Sequence, residues 1–161
     1  MRGLPIGRWA CLKKASSEGM DSAAAEEHRV EDLARLALQR WGVVFREILS
    51  RESLLPKWRE LHQALRRLEA RGEIRGGRFV SGFLGEQFAT TEAIAGIRAV
   101  RNSPDPDETI LIAAADPLNF SGIITPGSRI SAQSTTVIAY KAGVPLFSGD
   151  LGEVRSRLQK A

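Results

Sequence analysis

The stretch Lys57–Ala89, with the sequence KWRELHQALRRLEARGEIRGGRFVSGFLGEQFA, decides the fold class of this chain. Pro56 precedes a predicted helix, which Gly72 ends. Apolar residues recur in it at spacings of 3, 4 and 3 and predict one buried stripe. The stripe consists of Trp58, Leu61, Leu65 and Leu68. Beyond Gly72 we expect a short β-ribbon with its tip at Arg75–Arg78. A basic helix followed by a basic, glycine-tipped hairpin is typical of a winged helix.

Two further helical patterns precede this stretch. The first begins near Ser22 and carries an apolar stripe to Trp41, where Gly42 breaks it. A second, shorter helix is predicted from Val43 to Arg51. Three helices followed by a β-ribbon is the winged-helix order, and the third helix is the one normally offered to a nucleic-acid groove. Because Trp41 and Trp58 fall on apolar stripes, we expect them in the core rather than stacked on bases.

The C-terminal half changes from helical to strand patterns. A helix is predicted from Thr90 or Thr91 to about Arg101, with a buried side made of Ile94, Ile97 and Val100. After a loop at residues 102–107, short apolar runs bounded by turn residues predict a small sheet or barrel. These runs are residues 109–115, 122–125, 129–132, 135–140 and 144–147, followed by a polar helix at 151–160.

The predicted fold class is therefore α+β, with a winged helix of three helices plus a β-ribbon, followed by a helix and a small antiparallel sheet or barrel. We expect a tail or linker at residues 1–20, a winged-helix domain at 21–89 and a small α+β barrel-like domain at 90–161.

Composition limits the possible functions. A chain of 161 residues with 43% hydrophobic residues can form a packed core, and its net charge of +4 is compatible with an anionic partner. Cys11 is the only cysteine, which excludes an intramolecular disulfide and, with only His28 and His62, a cysteine-based zinc site. No apolar run approaches ~18 residues and no secretory signal is evident. We therefore expect a cytoplasmic protein with no membrane contact, cofactor or metal.

Several segments resemble the large helicase-related (Lhr) family of bacterial superfamily-2 helicases. They are GVVFREIL (42–49), WREL (58–61), LRRLEARGEIRGGRFV (65–80), GFLGEQFA (82–89) and AADPLN (114–119). Gly7-Arg8-Trp9 is also similar to a stretch upstream of the winged helix in that family. The resemblance covers nearly the whole chain, and its most specific parts are the phenylalanine–glycine run and the Asp-Pro-Leu-Asn turn.

The resemblance implies a fragment from the C-terminal side of such a protein. There, a winged helix and a β-barrel-like domain pack beside the motor and contact single-stranded DNA. The motor of the family uses ATP to translocate and unwinds DNA or RNA–DNA duplexes. Neither a Gly-x-x-x-x-Gly-Lys-Ser/Thr loop nor an Asp-Glu-x-His motif occurs in this sequence, so ATP binding is carried over to no residue. The sequence leaves open whether the chain is expressed as it stands or is a remnant of a longer gene.

Basic residues on the predicted outer side of the third helix and ribbon are candidates for phosphate contacts. They are Lys57, Arg67, Arg71, Arg75 and Arg78, with Gln63 beside them. Small Ala64 between them would let a nucleic-acid backbone approach closely. The alternative is an ordinary solvated helix face, since acidic residues are interspersed, namely Glu60, Glu69 and Glu73. With few amide side chains on this side, we expect little base-specific readout.

Three other groups have a functional and a structural interpretation. Phe83 and Phe88 are possible stacking residues, and the alternative is packing between the hairpin and the second domain. Asp116, at the end of an apolar strand, is the one catalytic candidate, but we favour a turn cap. For Glu86-Gln87 we expect a buried hydrogen-bond role that links the two halves.

Three functions remain under consideration. The first is an accessory module of a helicase-like protein that grips single-stranded or tailed duplex DNA by its backbone, with the motor domains in a longer parent. The second is a DNA glycosylase for uracil or crosslink repair, to which the winged-helix-plus-barrel pair is similar; the Gln-x-Gln or Gln-x-Asp motif of that group does not occur here. The third is a protein-interaction or assembly module. We favour the first.

Overall fold

The computed structural model describes residues 22–125, 127–132 and 135–160, which form five helices and two three-stranded antiparallel sheets. The helices are α1 (Ser22–Trp41), α2 (Arg46–Leu49), α3 (Trp58–Ala70), α4 (Thr91–Asn102) and α5 (Leu151–Leu158). The strands are β1 (Val43–Val44), β2 (Arg75–Gly77), β3 (Gln87–Ala89), β4 (Thr109–Ala113), β5 (Val137–Lys141) and β6 (Val144–Gly149). The predicted α+β class is confirmed. The expected tail or linker at residues 1–20 lies outside the described residues.

The first sheet has the order β1–β3–β2 and completes a winged helix with α1, α2 and α3. Val43 and Val44 pair antiparallel with Ala89 and Phe88, so the prediction that they begin a helix is wrong. Valine favours the extended backbone, and pairing with β3 buries Val44 completely. Helix α2 is therefore reduced to a single turn.

The core of this unit lies between α1, α3 and the sheet. Its largest fully buried side chains are Phe45, Leu61, Leu65, Leu68 and Phe88. Trp41 and Trp58 pack against this core, as their helical phase predicted. The Nε1 atom of Trp41 donates a hydrogen bond to Glu52 Oε1 at 3.1 Å, which satisfies the polar atom of a partly buried indole.

Helix α4 begins as predicted but does not bury its apolar side. The Thr90 hydroxyl accepts a hydrogen bond from the backbone N–H of Ala93 at 3.1 Å and caps the helix. No residue of α4 is buried, and the side chain of Val100 is 77% exposed. The expected buried side was inferred from spacing alone, and no described element packs over it.

The second sheet has the order β4–β5–β6 and is open rather than closed. Its three strands correspond to the predicted runs at 109–115, 135–140 and 144–147. Helix α5 packs against β5 and β6 and buries Val154 completely. Within the described ranges no barrel closes, because the other two predicted runs, 122–125 and 129–132, do not form strands.

The segment that was expected to supply those strands is a compact loop. The carbonyl oxygen of Phe120 accepts the backbone N–H groups of Ile123 and Ile124 at 2.9 and 3.2 Å, which is a turn pattern rather than a sheet ladder. The buried Asn119 amide donates to the carbonyls of Ala114 and Ile130. We call residues 119–125, which follow β4, the connecting loop, since it packs on the winged-helix unit: the Phe120 ring centroid lies 6.0 Å from that of Trp41, and Ile124 packs on the winged-helix core.

Candidate nucleic-acid interface

The outward side of α3 is defined by its buried stripe. Leu61, Ala64, Leu65 and Leu68 are all buried, and Ala64 is 0% exposed. At about 100° per residue, the side opposite this stripe carries Arg59, Gln63 and Arg66, which are all exposed. The expectation that Ala64 lets a nucleic-acid backbone approach is therefore wrong. It lies three residues after Leu61 and four before Leu68, which places it beside the leucines.

Arg67 and Arg71 lie on the side of α3 that faces α1. Arg67 Nε donates to Glu31 Oε1 at 2.8 Å, and Arg71 Nη2 donates to Glu31 Oε2 at 2.6 Å. Arg71 also bonds Glu73 at 2.8 Å, and Arg35 contacts both glutamates. We call these five residues the arginine–glutamate cluster. A phosphate contact by Arg67 or Arg71, as the sequence suggested, would require these bonds to break.

The arginines of the cluster keep its two carboxylates ionised. The Arg71 hydrogen bond, and after it that of Arg67, lowers the pKa of the Glu31 carboxyl to about 2. Arg35 and then Arg71 lower the pKa of Glu73 in the same way. Both carboxylates are therefore ionised at neutral pH and hold α1 against α3 and the start of the wing.

Arg75 and Arg78 lie in a different environment at the edge of the first sheet. Strand β2 pairs with β3 on one side, and its other side is an open edge. Both arginines are exposed, and neither forms an ion pair within the part of the chain that the structure describes. The prediction that Arg75–Arg78 form the tip of the ribbon is wrong. Arg75 is the first residue of β2, and Arg78 directly follows its last residue. The wing loop is residues 78–86.

Close approach, rather than turning, explains the two glycines between these arginines. A Cβ on Gly76 would overlap the Glu69 carboxylate, which accepts the Gly76 N–H at 3.0 Å. A Cβ on Gly77 would come within 3.0 Å of the Phe79 ring. The glycines therefore leave room beside β2 for the Glu69 carboxylate and the Phe79 ring.

Gln87 fixes the start of the wing loop. Its side chain is 0% exposed; Oε1 accepts the N–H groups of Phe79 and Val80 at 2.7 Å each, and Nε2 donates to the Val80 carbonyl at 2.8 Å. The expected buried hydrogen-bond role is present, but it holds the wing loop itself and does not link the two halves. We call these three bonds the Gln87 clamp.

Glu86 ties the other end of the wing loop to α3. Its carboxylate lies 2.6 Å from His62 Nε2 and 3.1 Å from Arg66 Nη2. Together with the Glu69–Gly76 bond, this contact makes the outward side of α3 and the wing one continuous surface. We call it the basic surface, and it consists of Arg59, Gln63, Arg66, Arg75 and Arg78. Arg66 is the one of its arginines with described carboxylate partners, since its guanidinium also lies 3.0 Å from Glu69.

Comparison with known proteins supports the winged-helix interpretation directly. A sequence model of the family described as large helicase-related protein, winged-helix domain, matches residues 23–109, which is more than half of the chain. The chain belongs to the large helicase-related protein family. The match includes α4 and ends at the first residue of β4. No curated protein matches the chain. The predicted family resemblance is thereby confirmed.

The two possible stacking residues of this Lhr-family chain differ in exposure. Phe88 is 0% exposed and belongs to the core, where the His62 ring lies edge-on at 5.8 Å, so stacking by Phe88 is a wrong expectation. Its burial follows from the central position of β3, which pairs on both sides. Phe83 is only partly buried, with its ring 4.4 Å from that of Phe45.

The remaining sequence candidates lie apart from the basic surface. Asp116 Oδ1 accepts the Leu118 N–H at 2.8 Å in the turn after β4, which is the local role that we favoured. Lys57 is the exposed residue before α3 and borders a cavity lined also by Trp58 and Leu55. Arg59 and Arg66 are the residues that sequence reasoning missed, although their position opposite the leucine stripe was readable from helical phase.

Proposed function

We propose that this chain is a nucleic-acid-binding accessory region of an Lhr-type helicase. It grips single-stranded or tailed duplex DNA through the phosphate backbone, and motor domains in a longer parent protein perform the ATP-driven work. The observation that carries the proposal is the basic surface, in which Arg59, Arg75 and Arg78 are exposed and form no described ion pair. Arg66 is held by Glu69 and Glu86 and would have to leave them before it contacts a phosphate.

The chemistry of this surface suits phosphates better than base edges. Arginine presents several N–H donors in a planar fork that matches a phosphate. Gln63 is the one amide among the five residues of the basic surface, so hydrogen bonds that distinguish bases are scarce. Arg67 and Arg71 must break their hydrogen bonds to Glu31 before they bind a phosphate. Arg75 and Arg78 have no carboxylate partner among the described residues, so they have no such bonds to break. We expect affinity that depends on salt and little on base sequence.

The test is fluorescence anisotropy of the full chain with labelled single-stranded, tailed duplex and blunt duplex DNA at several salt concentrations. The double variant Arg75→Glu/Arg78→Glu should bind single strands more weakly at every salt concentration. Its slope of log affinity against log salt should fall by roughly 0.7 for each phosphate that the variant no longer neutralises.

A matched control separates this surface from overall charge. The variant Arg98→Glu/Arg155→Glu makes the same change in net charge on exposed arginines of α4 and α5. It should retain most of the affinity of the unsubstituted chain. Equal losses in the two variants, or affinity that salt does not change, would contradict the proposal.

A second candidate function, protein assembly, is favoured by α4. Its apolar side is uncovered, with Ile97 39% and Val100 77% exposed. We propose that this side packs against another domain of the parent protein. Chemical crosslinking of the chain to a purified Lhr motor region, with and without Ile97→Ser/Val100→Ser, tests this: crosslinks that persist unchanged in the variant would rule out α4 as the contact.

A further inference from the structure

Two cavities share the wing loop as a common wall. One, of about 370 Å³, is lined only by wing residues and begins at Arg78. The other, of about 330 Å³, lies between the wing and the connecting loop and is lined there by Gly122, Ile123, Ile124 and Thr125. Ser81, Gly82 and Phe83 line both. Volumes of this size are at the lower end of those of small-molecule sites, and a nucleobase is a small molecule.

Phe83 is the aromatic side chain at the point where the cavities meet. Its ring packs on Phe45 with a centroid distance of 4.4 Å, and the same side chain lines both cavities. The residue is therefore held by the core and still borders open space. The loop that carries it is fixed at one end by the Gln87 clamp and at the other by the contacts of Glu86.

Charge and polarity indicate which occupant this site fits. Arg78 and Phe83 both line the wing-side cavity, and Arg78 has no carboxylate partner in the described ranges, so a cation and an aromatic ring border the same space. Ser81 and Thr125 line the second cavity, where the Thr125 hydroxyl donates to the Phe120 carbonyl at 3.2 Å. An aromatic ring next to an unpaired arginine is the combination with which proteins hold single-stranded nucleic acid, by stacking a base and binding the adjacent phosphate.

We infer that the wing loop and the connecting loop form a subsite for one unpaired base, which stacks on Phe83 while Arg78 binds the flanking phosphate. The inference rests on the proposed function and adds to it a preference for single strands. The base must be unpaired because a base inside a duplex is stacked on its neighbours and cannot place its face on Phe83. Loss of the stacking ring should weaken binding by roughly 5- to 100-fold.

The experiment uses the full chain and an oligothymidylate that carries a single 2-aminopurine, whose fluorescence is quenched when it stacks on an aromatic ring. The unsubstituted chain should quench the probe at saturation. Phe83→Leu keeps an apolar side chain against Phe45 but removes the ring, so it should lose both the quenching and at least roughly fivefold in affinity. Phe83→Tyr keeps the ring and should restore both.

The control substitution lies at the neighbouring position. Leu84 is 80% exposed on the same loop and lines neither of these cavities. Leu84→Ala should leave quenching and affinity unchanged. Unaltered quenching in Phe83→Leu, or a loss that appears in Leu84→Ala instead, overturns the subsite while oligonucleotide binding itself persists. The absence of any binding by the unsubstituted chain would instead refute the proposed function.

Discussion

Two pairs of arginines, separated by only a few residues, have opposite surroundings in this chain. Arg67 and Arg71 face α1 and are bonded to Glu31 at 2.8 and 2.6 Å. Arg75 and Arg78 lie on an open sheet edge with no described carboxylate partner. Both pairs consist of arginine, but the first lies in and directly after α3, and the second lies in and directly after β2. The difference is made by α1, which supplies a glutamate to one pair only.

This contrast shows that charge count does not locate a binding surface. A guanidinium that is already held by carboxylates must give up those bonds before it contacts a phosphate, whereas an exposed and unpaired one exchanges only water. We therefore assign the arginine–glutamate cluster, which we call the paired side, to stability. We assign Arg75 and Arg78, which we call the unpaired side, to binding.

The largest effect is expected at Gln87, which supports the unpaired side. Gln87→Leu removes the partners of two partly buried N–H groups and one partly buried carbonyl at the start of the wing loop. Buried groups without partners cost about 1–3 kcal/mol each, and partly buried groups lie at the lower end, so the free energy of unfolding should fall by roughly 3 kcal/mol. Urea denaturation followed by circular dichroism measures this loss. Hydrogen exchange at Phe79 and Val80 should accelerate.

The matched control for that variant is the exposed glutamine of α3. Gln63→Leu should change the free energy of unfolding by less than about 0.5 kcal/mol, since surface substitutions away from special contacts are usually that small. A Gln87→Leu protein that is as stable as the Gln63→Leu protein would show that the clamp has no energetic role.

The next effect is expected on the paired side. Glu31→Gln removes the charge that Arg67 and Arg71 share and leaves these arginines near Arg35 without full compensation. The arginines are partly exposed to water, so we expect a loss of about 1–2 kcal/mol in unfolding free energy rather than the larger cost of a buried pair. DNA affinity measured by anisotropy should not fall. Glu27→Gln, at an exposed position of α1, serves as the control.

The sequence predicts the helices and strands whose formation depends on neighbouring residues in the chain. Helix α3 was expected after Pro56 and observed from Trp58, and Thr90 caps α4 as its side chain allows. The strands of the second sheet were recognisable because short apolar runs there are bounded by turn residues. The ribbon was correctly placed after α3, although its tip was misassigned.

Long-range partners explain what the sequence could not predict. Val43 and Val44 become a strand because β3 comes to lie beside them, and Glu31 captures Arg67 and Arg71 from another helix. Nothing in the spacing of the arginines indicates which of them a distant glutamate will reach. The connecting loop was mistaken for strands because its apolar residues pack on the winged-helix core instead of a barrel.

The pH dependence of the unfolding free energy should report on the paired side, through Glu31. The pKa of Glu31 is about 2 in the folded protein, below the ordinary value of 4.5. Its contribution is therefore complete above about pH 4.5 and is lost as the pH falls towards 2. The unfolding free energy of the unsubstituted chain should drop by about 1 kcal/mol more than that of Glu31→Gln across this range, because solvent screening reduces the effect of the full shift. Parallel curves for the two proteins would refute this.

The smallest effect is expected when one arginine of each pair is replaced by glutamine. Arg67→Gln removes a bond to the mostly buried Glu31 carboxylate and should lower the unfolding free energy by about 0.5–1 kcal/mol. Arg75→Gln removes no described ion pair and should change it by less than about 0.5 kcal/mol, while it weakens single-strand binding more than Arg67→Gln does. Urea titrations and anisotropy on the same preparations provide both values. If Arg67→Gln proved the weaker binder and Arg75→Gln the less stable protein, the assignment of the two sides would have to be reversed, because ion pairing with α1 would then not keep an arginine from the phosphate backbone.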